Sequence, residues 1–304
     1  MKSFNYVKAP DLGAALAVLD REGEKACLVA GGTNVMVDIR AGKLNDLTLV
    51  GITDIADLRG IRLGQGKITV GALTTINELA QSDVLAKQAT ALYMSANVFA
   101  DALTRNSATI GGNIAYASPA ADTAPALLAL QAEVLIESKG GQRRVALAEF
   151  FSGVNKTVLL PSEMITAIEF APSPQSAFLK IGLRNAMAIS VATAACAVQM
   201  GRGGVINDCA IALGSVAHTP LRAYETEKLL CGQKVGEHNL TQALEALQKT
   251  ICPIDDIRAT GHYRREVAPV LVKRALFMAC GIQRSDDKKQ GTGDREREGR
   301  GQND

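Results

Sequence analysis

The chain has 304 residues, of which 47% are hydrophobic and 4% aromatic, and its 33 basic and 31 acidic residues leave a formal net charge of +2. This near-neutral balance excludes the strongly basic surface typical of a nucleic-acid-binding protein, so no nucleic-acid partner is expected. The absence of tryptophan argues against platforms on which sugars or bases stack. At about 100–200 residues per domain, the length predicts two or three domains.

Helical and strand patterns are mixed in the first part of the chain. Residues 11–20 have helical apolar spacing behind Asp11, which is expected to cap the helix. A short buried strand over residues 27–30 ends in Gly31-Gly32. Further strands are predicted over residues 47–52, 67–70, 132–137 and 143–145, and further helices over residues 74–79, 89–99 and 123–130.

The two prolines of residues 169–175 (EFAPSPQ) mark this segment as a linker. The elements predicted after it are strands over residues 178–183, 189–200 and 205–215 and helices over residues 224–231, 241–250 and 268–280. The sum is an α+β protein, with mixed elements before about residue 172 and a three-stranded unit with helices after it. Residues 284–304 contain six basic and six acidic residues and predict a disordered tail.

Six cysteines are spread along the chain, and the nearest pair in sequence, Cys196 and Cys209, is 13 positions apart. Without a CxxC motif, a local zinc or iron–sulfur site is disfavoured, and the cysteines are expected to be small buried hydrophobes in a reducing compartment. The N-terminal segment MKSFNYVKAPD is not followed by the apolar stretch typical of a secretory signal, so none is expected. No apolar run has the roughly 18 residues needed to span a bilayer. A cytoplasmic protein without a membrane segment is expected.

Two segments place adjacent glycines beside short polar side chains, LVAGGTNV at residues 28–35 and TIGGNI at residues 109–114. Each pair is expected at or near the end of a strand, where glycines admit positive φ and let backbone N–H groups point at one ligand. Such groups form a concave anion site suited to a diphosphate. Thr33, Asn34 and Asn113 can add neutral donors, as can Thr109. The alternative is that both are ordinary tight turns, since neither fits a GxGxxG or P-loop pattern.

Residues 27–43 (CLVAGGTNVMVDIRAGK) and 104–134 (TRNSATIGGNIAYASPAADTAPALLALQAEV) together resemble the FAD-binding medium subunits of molybdenum hydroxylases, the family of xanthine dehydrogenase and carbon monoxide dehydrogenase flavoproteins. Residues 178–190 (FLKIGLRNAMAIS) also resemble this family. The resemblance implies a PCMH-type (vanillyl-alcohol-oxidase-type) FAD-binding domain over residues 1–172, with two α/β subdomains at about residues 1–57 and 58–172. It further implies a CO-dehydrogenase-flavoprotein-like α+β domain over residues 173–283, with a three-stranded antiparallel sheet and helices.

The family's cofactor-binding residues can be carried over onto matching positions. The resemblance implies that the FAD pyrophosphate and ribityl chain are wrapped by two runs of residues: Leu28, Val29, Ala30, Gly31, Gly32, Thr33, Asn34 and Val35, and Thr109, Ile110, Gly111, Gly112 and Asn113. It implies a flavin-proximal aromatic at Phe99, a contact to the adenosine half at Asp122, an apolar contact at Ile165 and a basic residue near the flavin ring at Lys180.

Each of the four separate positions has a structural alternative. Phe99 could belong to the core, Asp122 could cap the helix that follows it, Ile165 could be ordinary strand packing, and Lys180 could lie on a solvated strand face. Two positions depart from the family pattern, because Asn34 stands where AGGTD is common and Ala188 where many relatives carry an acidic residue.

FAD is expected to be held without a covalent bond, because the three histidines to which it could be attached all lie beyond the glycine loops. No residue of this chain is assigned a catalytic or metal-binding role. Molybdopterin and [2Fe-2S] clusters are expected only on a large and a small partner subunit, in a dimer of heterotrimers, with NAD⁺ or another acceptor taking electrons from FAD. Xanthine-like heterocycles are favoured as the substrate of the complex. The alternatives are a self-contained FAD oxidase of the same superfamily and a non-catalytic scaffold or binding module.

Overall fold

The computed structural model describes residues 4–184 and 187–282. The chain begins with a small parallel sheet of order β1-β3-β2. Its elements are β1 (Asn5–Lys8), α1 (Leu12–Glu22), β2 (Ala26–Val29), α2 (Val35–Arg40) and β3 (Thr48–Gly51). The side chain of Asp11 accepts a hydrogen bond from the amide of Ala14 at 2.7 Å, which confirms the predicted cap of the first helix.

A five-stranded antiparallel sheet of order β4-β5-β10-β6-β7 follows. Its strands, with the short pair β8 and β9, are β4 (Ile61–Gly64), β5 (Lys67–Gly71), β6 (Glu133–Ser138), β7 (Gly141–Ala146), β8 (Phe151–Gly153), β9 (Lys156–Thr157) and β10 (Met164–Phe170). The helices of this part are α3 (Ile76–Ala80), α4 (Asp83–Gln88), α5 (Thr90–Asn97), α6 (Ala102–Ser107), α7 (Ile110–Tyr116), α8 (Thr123–Ala129) and α9 (Leu147–Phe150). All seven residues of α8 are buried, so this helix lies at the centre of the main core.

The last part of the described chain is built on a third sheet, of order β11-β12-β13-β14, whose strands are antiparallel. Its elements are β11 (Ser176–Gly182), β12 (Ser190–Met200), β13 (Ile206–Gly214), β14 (Leu221–Arg222), α10 (Tyr224–Leu230), α11 (Glu237–Thr250) and α12 (Gly261–Ala279). Of the described helices, none has both the length and the apolar character needed to cross a membrane.

Alternate side chains of β12 and β13 face two different cores. Ala195 and Ala212 belong to the core that includes α5 and α8, whereas Cys196 and Ile211 belong to the core that includes α11 and α12. Because both faces are covered, the first nine residues of β12 are all buried, which explains the long apolar run in its sequence. The third sheet is therefore packed directly onto the part of the chain that carries the second glycine pair.

Several predicted boundaries are wrong. The third sheet has four strands rather than three, because the two-residue β14 pairs with β13. The final helix begins at Gly261 instead of residue 268, and the one before it at Glu237 instead of residue 241. The linker is shorter than predicted, since Glu169 and Phe170 still pair with β5.

The cysteines are also more varied than expected. Cys196 and Cys209 are buried, Cys252 is exposed, and the other three are partly buried. The predicted disordered tail at residues 284–304 lies outside the described residues.

The small side chains on the inner face of the third sheet set how closely it approaches α8. We expect Ala212→Leu, at a position that is 0% exposed, to overpack this contact and lower the free energy of unfolding by about 1–3 kcal/mol. Ala41→Leu, at an exposed position, serves as the control and should change little. Denaturant unfolding of the two variants checks this, and equal stabilities would contradict the packing described.

Candidate functional site

A cavity of about 600 Å³ opens where the three sheets meet, a volume in the range of small-molecule and cofactor sites. All but two of the predicted site residues line it: Leu28, Ala30, Gly31, Gly32, Thr33, Asn34, Val35, Phe99, Thr109, Gly111, Gly112, Asn113, Asp122, Ile165 and Lys180. The exceptions are Val29 and Ile110, and Ile110 is fully buried in the main core. The structure thus brings together segments that lie far apart in the sequence.

The two glycine segments converge through one close backbone contact. A Cβ atom built on Gly31 would lie 1.7 Å from the carbonyl oxygen of Ser107, the last residue of α6. No side chain fits there, so only glycine allows the first loop to rest on the chain just ahead of Thr109. Gly32 has φ of +68°, the left-handed conformation that glycine adopts without strain.

The second glycine pair is placed differently from the prediction. Gly111 and Gly112 lie in the first turn of α7, after Thr109 as its N-cap, and not at the end of a strand. A Cβ atom on Gly111 would lie 2.6 Å from the Cβ of Ala72, so this glycine is required for packing against the end of β5. Positive φ plays no part at this pair.

The backbone amides of the second segment are already hydrogen bonded within the protein. Ile110 donates to the carbonyl of Thr74 at 3.0 Å, and Gly111 donates to that of Ala72 at 2.9 Å. Gly112 and Asn113 both donate to Thr109, to its hydroxyl at 3.2 Å and its carbonyl at 2.9 Å. The expectation that both glycine pairs offer unbonded amides is therefore wrong for the second pair.

The first segment has the opposite character. Within residues 4–184 and 187–282, the amides of residues 31–35 donate to no backbone or side-chain acceptor, and the side chains of Thr33 and Asn34 form no hydrogen bond. Partly buried amides without a partner are uncommon, and successive N–H groups in a loop favour an anion. Residues 31–35 therefore form a run of five unbonded donors on the wall of this cavity.

Asn113 can add a neutral donor from the opposite side. Its Oδ1 accepts a hydrogen bond from the hydroxyl of Thr123 at 2.6 Å, which orients the side-chain amide. Its Nδ2 group donates to no acceptor in the described part of the chain. Thr109, by contrast, uses its hydroxyl oxygen to cap α7.

A buried ion pair forms another part of the wall. Lys180 Nζ lies 2.6 Å from Asp122 Oδ2, and the hydroxyl of Ser190 donates to Asp122 Oδ1 at 2.5 Å. The Lys180 side chain is only 10% exposed, so the alternative of a solvated strand face is wrong. The capping alternative is wrong too, because the Asp122 side chain makes no capping hydrogen bond to α8. Burial raises the pKa of Asp122, and Lys180 and Ser190 oppose this shift.

This ion pair bears on two of the roles implied by the resemblance. Asp122 was expected at the adenosine half of the cofactor and Lys180 at the flavin ring. Their side chains are 2.6 Å apart, so within the protein they are partners of each other at one place on the cavity wall. Both cofactor contacts stay predictions.

Phe99 and Ile165 both pack in the protein interior and line the cavity. Phe99 packs against the main core and also lines the cavity. Ile165 is 5% exposed and lines the cavity at the point where the register between β10 and β6 shifts. Sequence reasoning did not single out Ser190 or Tyr116, which also line the cavity. Both lie in segments that resemble the family, residues 104–134 and 178–190, so the resemblance could have indicated them.

Comparisons with known proteins agree with this geometry. The family described as FAD binding domain in molybdopterin dehydrogenase matches residues 2–173, and the CO dehydrogenase flavoprotein C-terminal domain matches residues 177–279. The carbon monoxide dehydrogenase medium chain of Hydrogenophaga pseudoflava is 31% identical over 91% of this chain and 96% of its own length. The xanthine dehydrogenase FAD-binding subunit of Escherichia coli O157:H7 is 29% identical over 90% of this chain and 95% of its own length.

Among solved structures, a chain of the reconstituted CO dehydrogenase from Oligotropha carboxidovorans matches with a TM-score of 0.89 and 31% identity, over 92% of this chain and 99% of that one. The fold is therefore a FAD-binding domain followed by a flavoprotein C-terminal domain. The chain belongs to the FAD-binding medium subunits of the molybdenum hydroxylase family of oxidoreductases, which confirms the resemblance seen in the sequence.

The contact between Gly31 and Ser107 yields a direct test. We expect Gly31→Ala to push the two segments apart, because its Cβ would overlap the Ser107 carbonyl. The variant should lose about 1–3 kcal/mol of unfolding free energy. It should also bind FAD at least roughly tenfold more weakly, a change of about 1.4 kcal/mol.

Gly13→Ala is the matched control, because its Cβ would meet only Asp11 Oδ1 at an ordinary 3.4 Å. Isothermal titration with FAD and denaturant unfolding measure both effects. If Gly31→Ala behaved like Gly13→Ala in both measurements, the close approach would not be what assembles the cavity.

Proposed function

We propose that this cavity binds FAD without a covalent bond, with the diphosphate on the amides of residues 31–35, and that the chain is the electron-transferring flavin subunit of a molybdenum hydroxylase complex. The observation that supports this most strongly is the run of five unbonded amides on a cavity wall, in a chain of an FAD-binding family. Neutral donors suit a diphosphate because they compensate its charge without bringing in a mobile side chain.

When bound, FAD supplies the chemistry, since its ring takes up electrons singly or in pairs. The residues of this chain hold and shape the site. Asn113 and the first loop would fix the middle of the cofactor, Phe99 and Ile165 would offer apolar contact to the ring, and Lys180 would place one ammonium group beside it. No acid–base pair for substrate chemistry is proposed in this chain.

The partners follow from the family. The relatives compared above are, by name, a medium chain and an FAD-binding subunit of larger dehydrogenases. We infer a large molybdopterin subunit, a small [2Fe-2S] subunit that donates electrons, and NAD⁺ or another final acceptor, in a dimer of heterotrimers. We place the complex in the cytoplasm, an inference supported by six free cysteines. The two relatives are subunits of dehydrogenases named for different substrates, so a xanthine-like heterocycle stays a hypothesis.

Exposed apolar side chains beside the cavity support the docking of a partner there. Met187 and Ile189 line the cavity and are 56% and 64% exposed, and Leu103, next to the cavity residue Thr104, is 81% exposed. Large apolar side chains grouped around a site mark protein interaction surfaces. We infer that electrons from another chain enter at this rim, formed by Leu103, Met187 and Ile189.

The diphosphate assignment predicts a pattern of ligand affinities. FAD should bind to the purified full chain, ADP should compete with it, and riboflavin, which lacks the diphosphate, should bind far more weakly. Because backbone amides rather than exposed lysines hold the anion, the affinity for FAD should change little between low and high salt. Fluorescence titration of FAD measures all of this. A chain that does not bind FAD, or that binds riboflavin as well as FAD, would contradict the proposal.

Docking at the rim is tested by Leu103→Glu, with Leu63→Glu on β4 as the control, since Leu63 is 51% exposed and does not line the cavity. We expect the genes beside this one to encode the molybdopterin and [2Fe-2S] subunits. On co-expression with their products, Leu103→Glu should bind FAD normally but lose the complex in size-exclusion chromatography, and Leu63→Glu should retain both. An intact complex with Leu103→Glu would rule out docking at this rim.

A further inference from the structure

A buried arginine in the C-terminal part of the chain connects to the ion pair in the cavity. Arg264, in the first turn of α12, is only 1% exposed. Its Nη1 group donates to the carbonyl oxygens of Val191 and Ser215, each at 2.9 Å, and its Nη2 group donates to Asp256 at 2.6 Å. A cation that is taken out of water at this cost needs such partners, so its position is closely determined.

The charge of Arg264 is balanced away from the cavity. Burial raises the pKa of Asp256, but hydrogen bonds from Arg258 and the charges of Arg258 and Arg264 bring it well below its ordinary value. Asp256 is therefore ionised and places one negative charge between the guanidinium groups of Arg258 and Arg264. The Nη1 group of Arg264 holds both backbone carbonyls.

The carbonyl of Val191 lies one residue away from Ser190, which lines the cavity. Val191 follows Ser190 at the start of β12, and the Ser190 hydroxyl donates to Asp122 at 2.5 Å. Arg264 thus fixes the backbone from which the hydroxyl partner of Asp122 projects.

The carbonyl of Ser215 is connected to Asp122 through a second segment of the chain. The amide of Ser215 donates to the carbonyl of Pro119 at 2.8 Å, at the beginning of the turn that carries Asp122. This junction is tight, because a Cβ atom on Gly214 would lie 2.6 Å from Thr193 Oγ1 and 2.9 Å from Pro125 Cγ. Both bonds of the arginine therefore converge on Asp122, which in turn holds Lys180.

We propose that Arg264 is a positioning residue that acts through Ser190 and Asp122 to fix the ammonium group of Lys180 at the cavity wall. The inference rests on the proposed function, because Lys180 affects a flavin only if FAD occupies this cavity. A fixed positive charge near the flavin ring favours the reduced, more negative state. Loosening the arginine should therefore change the flavin through the lysine alone.

The test is a double-mutant cycle on the midpoint potential of FAD bound to the full chain. Lys180→Met should make the potential more negative. Arg264→Met should shift it in the same direction by a smaller amount, and Arg264→Lys by less still. In the Lys180→Met background, Arg264→Met should cause no further shift, which a merely structural role would not predict.

Asp256→Asn is the matched control, because it removes the ionic partner of Arg264 while leaving both carbonyl contacts in place. It should lower stability but keep the wild-type potential. If Arg264→Met fails to fold, Arg264→Lys is expected to fold and carries the same comparison in both backgrounds.

The outcomes separate the two proposals. If the wild-type chain does not bind FAD, the proposed function fails. If it binds FAD but Lys180→Met leaves the potential unchanged, the inference about Arg264 is overturned while the proposed function stands. If Lys180→Met shifts the potential, the inference is overturned by any of three further results. The first is a wild-type potential in the folded Arg264 variants. The second is a shift of the potential by Arg264→Met that persists in the Lys180→Met background. The third is a shift in Asp256→Asn as large as that in Arg264→Met.

Discussion

The cavity depends on a place where two stretches of backbone come closer than any side chain would allow. Gly31 lies against the carbonyl of Ser107, and a Cβ atom there would be only 1.7 Å from the carbonyl oxygen. This contact joins the parallel sheet, which carries the first loop, to the helices packed on the antiparallel sheet. Gly111 makes a similar close contact with Ala72, next to the end of β5, where a Cβ atom would also find no space. The glycines are needed because of where neighbouring backbone lies, more than for unusual dihedral angles.

The two glycine pairs contribute to the site in different ways. The second pair is built into α7, and its amides are bonded to Ala72 and Thr109, so it provides a rigid surface. The first loop keeps its amides unbonded in the described part of the chain. One loop therefore supplies the donors and the other the surface against which they are held. The third sheet completes the wall with Lys180 and Ser190, through contacts traced back to α12.

Local chemistry was predictable from the sequence, and long-range pairing was not. The cap at Asp11 depends on atoms three residues apart, and both glycine motifs were recognised from adjacent residues. The close packing that requires glycine at residue 111 involves Ala72, far away in the chain, which a local pattern does not contain. The pair of Asp122 and Lys180 joins residues 58 positions apart. The early start of α12 was missed because its polar first turn suggests solvent exposure, whereas Arg264 is buried.

We propose that the backbone amides of residues 31–35 hold the cofactor diphosphate, whereas the backbone amides of residues 110–113 are already hydrogen bonded within the protein. Hydrogen exchange of individual amides, measured with and without FAD, distinguishes the two segments. We expect FAD to slow exchange strongly at residues 31–35 and to leave the already protected amides of residues 110–113 nearly unchanged. Unchanged exchange at residues 31–35, or new protection confined to residues 110–113, would contradict it.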